Sequence, residues 1–311
     1  MNRPTPRHAR KPHRSRHGWR PWGLLLGTIL AAALLAAAPI VAGAAGTLRL
    51  DFIDVGQGDA VLVTSPTGKT ALIDGGPLQS ARALTAFLAA HTHGPLDLVL
   101  LTHPHEDHLG GLAAVVSAIG ARSFLDAPAP YASPAYASLL RVLQSRGVTV
   151  RQAIRGRTID LGGGAILVLV GPPEPPIAGS RSDVNANSVV TRLTFGKFAA
   201  LLAGDAEAPT EAWLLRAGTR LSGTLLKVAH HGSRYATGER FLAAVRPQIA
   251  VISCGAGNEY GHPAPQTLAR LARAGARVYR TDVNGTVTIE TNGTSVRVRA
   301  DAGPGEAIDL R

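Results

Sequence analysis

One cysteine, Cys254, is all that this chain of 311 residues carries. That excludes a disulfide within the chain and a cysteine-built metal cluster, so any metal site has to be made from histidine and carboxylate. Lysine is scarce as well, with 4 residues against 28 arginines. Beside abundant alanine this reads as a composition bias, so the arginine count says little about phosphate binding. Acidic residues are missing from positions 1–22, where seven Arg and Lys fall. Without that stretch the formal charge of +11 shrinks to 25 basic against 21 acidic side chains. The basic excess therefore sits on one short tail and not on a face for nucleic acid.

What remains is a globular composition, 45% apolar, on a chain long enough to bury a large core. The 35 Gly and 21 Pro cut it into short runs, a sign of many turns rather than of disorder. The basic start, residues 1–22, is followed by "GLLLGTILAAALLAAAPIVAGAAG" at 23–46, which holds no charge. A basic stretch before an apolar run is the pattern of a signal peptide, and "AGA" at 42–44 has the small-x-small form of a cleavage site. The run is also long enough to span a bilayer as an anchor, which takes about 20 residues. In either case the arginines hold the start in the cytoplasm and send the rest outward. No cysteine follows the run and no arginine pair precedes it, which argues against a lipoprotein and against twin-arginine export. Beside such a run the basic tail suits contact with anionic lipid better than a nucleic-acid arm.

From residue 47 short apolar runs alternate with turns. Residues 47–55, 59–66, 70–76 and 96–103 read as strands, and 80–91, 109–120 and 134–147 as helices. Further on, 188–196 and 198–205 form a hairpin pattern, 209–218, 238–247 and 265–275 have helical spacing, and 224–233, 249–255 and 276–281 begin as strands. Residues 285–300 make a second hairpin about Asn292-Gly293. The Pro-rich stretch 171–187, "GPPEPPIAGSRSDVNAN", marks the join of two similar halves in one domain at 47–300, with 301–311 as a tail. Strands that cluster and then alternate with helices predict a layered α/β sandwich. Asp74, His103, Asp205 and His230 fall at strand ends, where sites in open α/β sheets assemble.

The densest chemistry lies in "LVLLTHPHEDHLGG", 98–111. His103 and His105 sit one residue apart, so an extended segment turns both rings to one side. Asp107 and His108 follow and can serve a second point a few ångströms away. Imidazole with carboxylate suits Zn²⁺ or, with more oxygen, Mn²⁺ or Fe. At this chain's own composition H-x-H-x-D-H arises by chance on the order of 1 time in 2,000, which lifts it above most short motifs. One loop cannot encircle two ions. Asp205, ending "LLAGD", is the natural bridging carboxylate, and "KVAHHGS" offers His230 and His231.

"THPHEDHLGG" together with "LIDGG", "LLAGD" and "HHGS" resembles the metallo-β-lactamase-fold hydrolase superfamily. More narrowly, "DFIDVGQGDAVLV", "KVAHHGS", "NEYGHP" and "YRTDVNGTVTI" look like the hydrolase domain of ComEC-type competence proteins and its stand-alone relatives, over about residues 47–300. The resemblance implies a four-layer αββα sandwich with two divalent ions, Zn²⁺ or Mn²⁺, at one edge. It implies His103 and His105 on the first ion, Asp107 and His108 on the second, Asp205 between them, and one of His230 and His231 completing the second. Asp74 would orient the histidine loop. A water held between two such ions ionises near neutral pH. Many members add a further histidine for the first ion, but positions 109–204 hold none. "DVNANSVV", with Asn185, Asn187 and Ser188, stands there instead. That leaves the first ion with three protein donors, weaker binding or a preference for Mn²⁺.

His262 in "NEYGHP" is a candidate phosphate donor or general acid, or else a plain turn histidine before Pro263. Ser233 and Arg234 follow the histidine pair where a helix could begin, and they are either an anion site or, equally, plain capping and surface charge. Asp59 in "DVGQGDA" is a further carboxylate for support of the loop. Asp107, Asp205 and His262 are the residues expected to carry catalysis. The leading expectation is an exported or membrane-anchored metal-dependent hydrolase acting on a phosphodiester, DNA among the candidates. The rivals are hydrolysis of a lactam, lactone or other small ester, and a non-catalytic module for DNA uptake or binding. A reporter active only outside the cytoplasm, fused after Arg311, is expected to be active. A silent reporter with the protein in the soluble cytosol would contradict export.

Overall fold

The computed structural model describes residues 46–127, 131–303 and 305–310. The basic tail and all of the apolar run but Gly46 lie outside the described residues. Among the described residues no helix is long and apolar enough to cross a membrane.

The described residues open with an antiparallel meander of β1 (Leu48–Phe52), β2 (Val61–Thr64) and β3 (Thr70–Ile73). After α1 (Ala81–His91), β4 (Leu98–Leu100) joins parallel to β3. A single turn, α2 (Glu106–Leu109), and α3 (Leu112–Ala118) lead to β5 (Ser123–Asp126), and α4 (Pro134–Ser145) leads to β6 (Thr149–Gln152). The second sheet begins with β7 (Thr158–Gly162) and β8 (Ala165–Leu169). After α5 (Asp183–Ala186) come β9 (Thr191–Phe195) and β10 (Phe198–Leu202), which pair as the expected hairpin. Then α6 (Ala208–Arg216), β11 (Leu225–Lys227), α7 (Glu239–Val245), β12 (Ile249–Ile252), α8 (Pro265–Arg273) and β13 (Arg277–Arg280) extend that sheet in parallel. The short α9 (Thr281–Asn284) returns the chain to the first sheet, where β14 (Val287–Thr291), β15 (Ser295–Ala300) and β16 (Glu306–Asp309) lie beyond β1.

Three apolar clusters define four layers. Leu50, Phe52, Ile73, Phe195, Phe198 and Leu202 belong to the slab between the two sheets. Leu72, Leu84, Leu112 and Leu143 join the first sheet to α1, α3 and α4. Leu201, Leu226, Leu214, Phe241 and Leu271 join the second sheet to α6, α7 and α8. Strands such as β10, β11 and β12 are buried on both faces, so each alternates between the slab and its helix layer. This is the expected αββα sandwich.

The sequence and the fold differ in three places. The chain changes sheets between β6 and β7, not at 171–187: β6 is an edge of the first sheet, while β7 and β8 already pair in the second, with Leu161, Ala165, Leu167 and Leu169 turned into the slab. The Pro-rich stretch belongs to the connection from β8 to β9 and includes α5. The segment read as a tail after residue 300 supplies β16, an edge strand paired with β15. The helix expected at 109–120 is split at Gly110 and Gly111.

Glu211 of α6 accepts hydrogen bonds from the Thr237 and Gly238 amides, the latter at 3.0 Å, at the start of α7. Burial outweighs those bonds and pushes its carboxyl up from 4.5 to about 7. The folded chain then binds more protons than the unfolded one between those two values. The contribution to stability is full below about pH 4.5 and is lost as pH rises to about 7. Glu211→Gln is expected to flatten the fall in stability over that window, read as urea midpoints at several pH values. A profile unchanged from wild type would remove Glu211 from the pH dependence.

Candidate metal centre

The site lies where the carboxyl ends of β3 and β4 in one sheet face those of β10 and β11 in the other. Asp74 follows β3 with φ at +61°, a left-handed turn that aspartate tolerates better than most residues. Its carboxylate accepts from the Thr102 amide and from Thr102 Oγ1, both at 2.7 Å, and lies 2.8 Å from His108 Nδ1. Two loops close on the histidine loop through glycine. A Cβ on Gly58 would stand 2.3 Å from the Asp107 carbonyl oxygen, and one on Gly111 would stand 2.2 Å from that of Gly75. The Asp59 amide donates to the Asp107 carbonyl at 3.0 Å, and the Gly76 amide to the Asp59 carbonyl at 2.8 Å. The motif glycines therefore permit three loops to be laced together by backbone hydrogen bonds.

Asp205 follows β10 and is buried, as are His103, His108 and His231. Four imidazoles aim Nε2 at its carboxylate: His108 at 3.3 Å, His231 at 3.6 Å, His103 at 3.7 Å and His230 at 3.8 Å. Their other nitrogens are engaged. His103 Nδ1 is 3.1 Å from Thr102 Oγ1, His108 Nδ1 meets Asp74, and His231 Nδ1 donates to the Ser253 carbonyl at 2.9 Å. Nδ1 of His105 lies 3.1 Å from Nε2 of His103, and Nε2 of His231 lies 3.1 Å from an oxygen of Asp107. All six histidines beyond position 93 stand in or beside this cluster.

These residues fit divalent ions. His108 Nε2 and Asp205 Oδ1 are buried and hydrogen-bonded to nothing, as is Asp59 Oδ1. Donor atoms of His103, His108 and Asp205, and of Asp107, His108 and His231, fall within 4.8 Å of one another. A ligating histidine commonly donates its other nitrogen to a protein acceptor, as these do. Charge points the same way. Burial works against ionisation of Asp205 and Asp107, but His231 and His108 among their neighbours hold both carboxyls below the usual range. Against burial, Asp205 with Asp74 holds His108 well up, and Asp205 with Asp59 holds His231 up at about 10. Burial and then His108 push His103 well down. Protons on His108 and His231 occupy the place of a cation, and a bound ion would displace them.

The remaining expected residues fall as follows. Asp59 is buried and paired with Lys227 Nζ, and its other oxygen is 3.5 Å from His231 Nδ1. Ser188 Oγ accepts from the Asp205 amide at 3.3 Å. Asn185 Nδ2 is 3.5 Å from both ring nitrogens of His230, and its Oδ1 is buried without a partner. His262 sits at the rim, its ring 5.6 Å from that of His230 and 5.9 Å from that of Tyr260. Burial, then His230 and His231, push its imidazole down to about 4, so it is uncharged at neutral pH. Ser233 and Arg234 do not form the expected anion site. No helix starts there, since α7 begins at Glu239, and exposed Arg234 lies over the Tyr235 ring. Sequence reasoning missed Lys227 and Glu207. Lys227 is 2% exposed, and Asp59 keeps its ammonium charged against burial. Glu207 is buried too and lies 2.9 Å from His230 Nδ1. Both stand two or three residues from motif ligands, the one signal that could have marked them.

The family model described as the metallo-beta-lactamase superfamily matches residues 53–256. ComE operon protein 3 of Bacillus subtilis (strain 168) is 30% identical over 256 residues, 77% of this chain and 32% of that protein. Recombination protein 2 of Haemophilus influenzae is 31% identical over 251 residues, 78% of this chain and 29% of that protein. The chain thus spans about a third of the length of these curated relatives. Among solved structures, the metallo-beta-lactamase fold protein YhfI from Bacillus subtilis aligns with a TM-score of 0.54 over 79% of this chain and 100% of that one. At 11% identity this is a likeness of fold.

Asp74→Asn keeps the shape and the left-handed backbone but removes the charge that fixes His108. It is expected to lower metal affinity about 10- to 100-fold, measured by competition with a chromogenic chelator, with the circular dichroism unchanged. Wild-type affinity in that variant would contradict the role of Asp74.

Proposed function

Because the chain belongs to the metallo-beta-lactamase superfamily, we propose that it is a metal-dependent hydrolase of phosphodiesters, nucleic acid included, that works outside the cytoplasm. The observation that carries the metal chemistry is the pair His108 Nε2 and Asp205 Oδ1, 3.3 Å apart, buried and without hydrogen bonds. Divalent ions held there supply a water that ionises near neutral pH and positive charge against an anionic phosphoryl group. Asp107, His108 and His231 form one group of donors, and His103, with His105 at 3.1 Å, belongs to a second that includes Asp205. Asp205, which His108 and His231 also face, would hold the two groups in register.

Two features favour a phosphodiester over a lactam or lactone. Two ions a few ångströms apart suit in-line displacement at phosphorus, and a neutral carbonyl gains less from them. Uncharged His262 and Tyr260 line the rim, where each can donate a hydrogen bond to a phosphoryl or leaving-group oxygen. The name of one curated relative, a recombination protein, agrees with a nucleic-acid substrate. Export rests on the basic and apolar segments at 1–46, and the same segments make an anionic membrane surface the other partner.

The test is a substrate panel on the purified full chain loaded with Zn²⁺ or Mn²⁺. Bis-p-nitrophenyl phosphate and DNA are expected to be cleaved much faster than nitrocefin is opened, with Mn²⁺ supporting activity at least as well as Zn²⁺. Asp205→Ala is expected to abolish turnover. His262→Ala is expected to lower the rate about 10²-fold or more with metal content unchanged. Ready opening of nitrocefin with both phosphodiesters untouched would reverse the assignment.

A further inference from the structure

The residues that replace the family's additional histidine do not fill its place. Ser188 Oγ is bound to the Asp205 amide. Asn187 is committed to its own loop, its Nδ2 donating to the Ile177 and Asp183 carbonyls at 2.8 and 2.7 Å. Asn185 alone reaches toward the centre, and what lies against it is the ring of His230.

His230 is arranged as the other donors are. His108 has Nδ1 on Asp74 and Nε2 toward Asp205. His231 has Nδ1 on a carbonyl and Nε2 toward Asp205. His230 has Nδ1 2.9 Å from Glu207 Oε1 and Nε2 3.8 Å from Asp205 Oδ2. That oxygen is also faced by His103 Nε2 at 3.7 Å and His231 Nε2 at 3.6 Å, and what sets His231 apart is its second contact, Nε2 to Asp107 at 3.1 Å. Glu207 is suited to this and to little else. It stands at the N-cap of α6, yet its side chain makes no capping hydrogen bond. It is 3% exposed and shared between His230 and Arg181. Arg181 is in turn braced over the Tyr235 ring at 4.1 Å. The backbone supports the same conclusion. His230 and His231 both have positive φ, +48° and +50°. Neighbouring non-glycine residues adopt this costly conformation only when their surroundings impose it. Here it lets consecutive rings, 6.0 Å apart and inclined at 74°, both face Asp205.

We propose that His230, held by Glu207, is the third nitrogen donor to the ion bound by His103 and His105. The His230–His231 pair then serves both ions, His230 the first and His231 the second. The ligand lost between β4 and β10 is supplied from the end of β11. This rests on the metal-centre reading above, and it makes Glu207 a positioning residue.

The full chain, loaded with Zn²⁺ and desalted, is assayed for metal per chain by mass spectrometry, and affinities are read by isothermal titration of Zn²⁺ into the metal-free protein. Wild type is expected to hold two ions. His230→Ala is expected to hold one, at the affinity of the site formed by Asp107, His108 and His231. His230→Asn, which tolerates a left-handed backbone, is expected to match it and guards against a folding defect. Glu207→Gln should weaken the same binding phase about 10- to 100-fold and leave the other phase unmoved. Asn185→Ala should keep both ions. Two ions at wild-type affinities in both His230 variants would overturn the assignment while leaving the metal centre intact. So would loss of the ion in Asn185→Ala alone, which would transfer the role to Asn185 Oδ1. A wild-type chain that takes up fewer than two ions would overturn the two-ion reading and this assignment together.

Discussion

A carboxylate taken out of water must meet positive charge, and Asp205 is such a carboxylate. Moving an ion of that size into a low-dielectric interior costs several kcal/mol or more even after relaxation. The chain answers with four imidazoles at 3.3–3.8 Å, each held from behind by a group on its other ring nitrogen. The nearby Asp59 is answered separately by Lys227. Asp74 and Asp107 are left with histidine alone, so the centre keeps a demand for cations that its own side chains meet only by taking up protons. The glycines of the motif loops, the left-handed turns at Asp74 and at the histidine pair, and the Thr102 relay all serve to bring these groups to that one carboxylate.

Much of this was legible in the sequence, for physical reasons. His103, His105, Asp107 and His108 are local in the chain, so their spacing alone reveals them. Asp205 and His231 end strands buried on both faces, and such strands announce themselves as unbroken apolar runs. Glu207 and Lys227 could not be read. Their importance comes from partners brought to them by folding, His230 from the end of β11 and Asp59 from the turn after β1. That His230 and His231 both reach Asp205 was closed to sequence for the same reason, since neighbouring side chains point apart along an extended chain and converge here only because the backbone turns left-handed.

The fold was legible where burial is complete and obscure at the edges. β6 is exposed along its whole length, β16 is at best half-buried, and β7 buries only Leu161. Edge strands of this kind lack the unbroken apolar run that marks an inner strand, so β6 and β7 went unread, and β16 fell in the segment read as a tail. The change of sheet was misplaced because Pro and Gly mark any loop, whether or not the chain crosses from one layer to the next. Here the crossing follows β6 through a short loop marked by Gly156 alone and no proline, and the Pro-rich loop stays within the second sheet.

One feature of the architecture governs how the centre responds to changes far from it. The histidine loop hangs from the first sheet, while Asp205, His230 and His231 hang from the second. The two sets work as the jaws of a clamp, and the slab of Phe52, Phe195, Phe198 and Leu202 between the sheets is the spacer that fixes the gap. Small and large divalent ions differ in bond length by only about 0.2–0.6 Å. The removal of a single methylene from a close-packed slab is felt on that scale. The gauge of the clamp, and with it the size of ion that would fit it, is therefore written partly in residues remote from the centre.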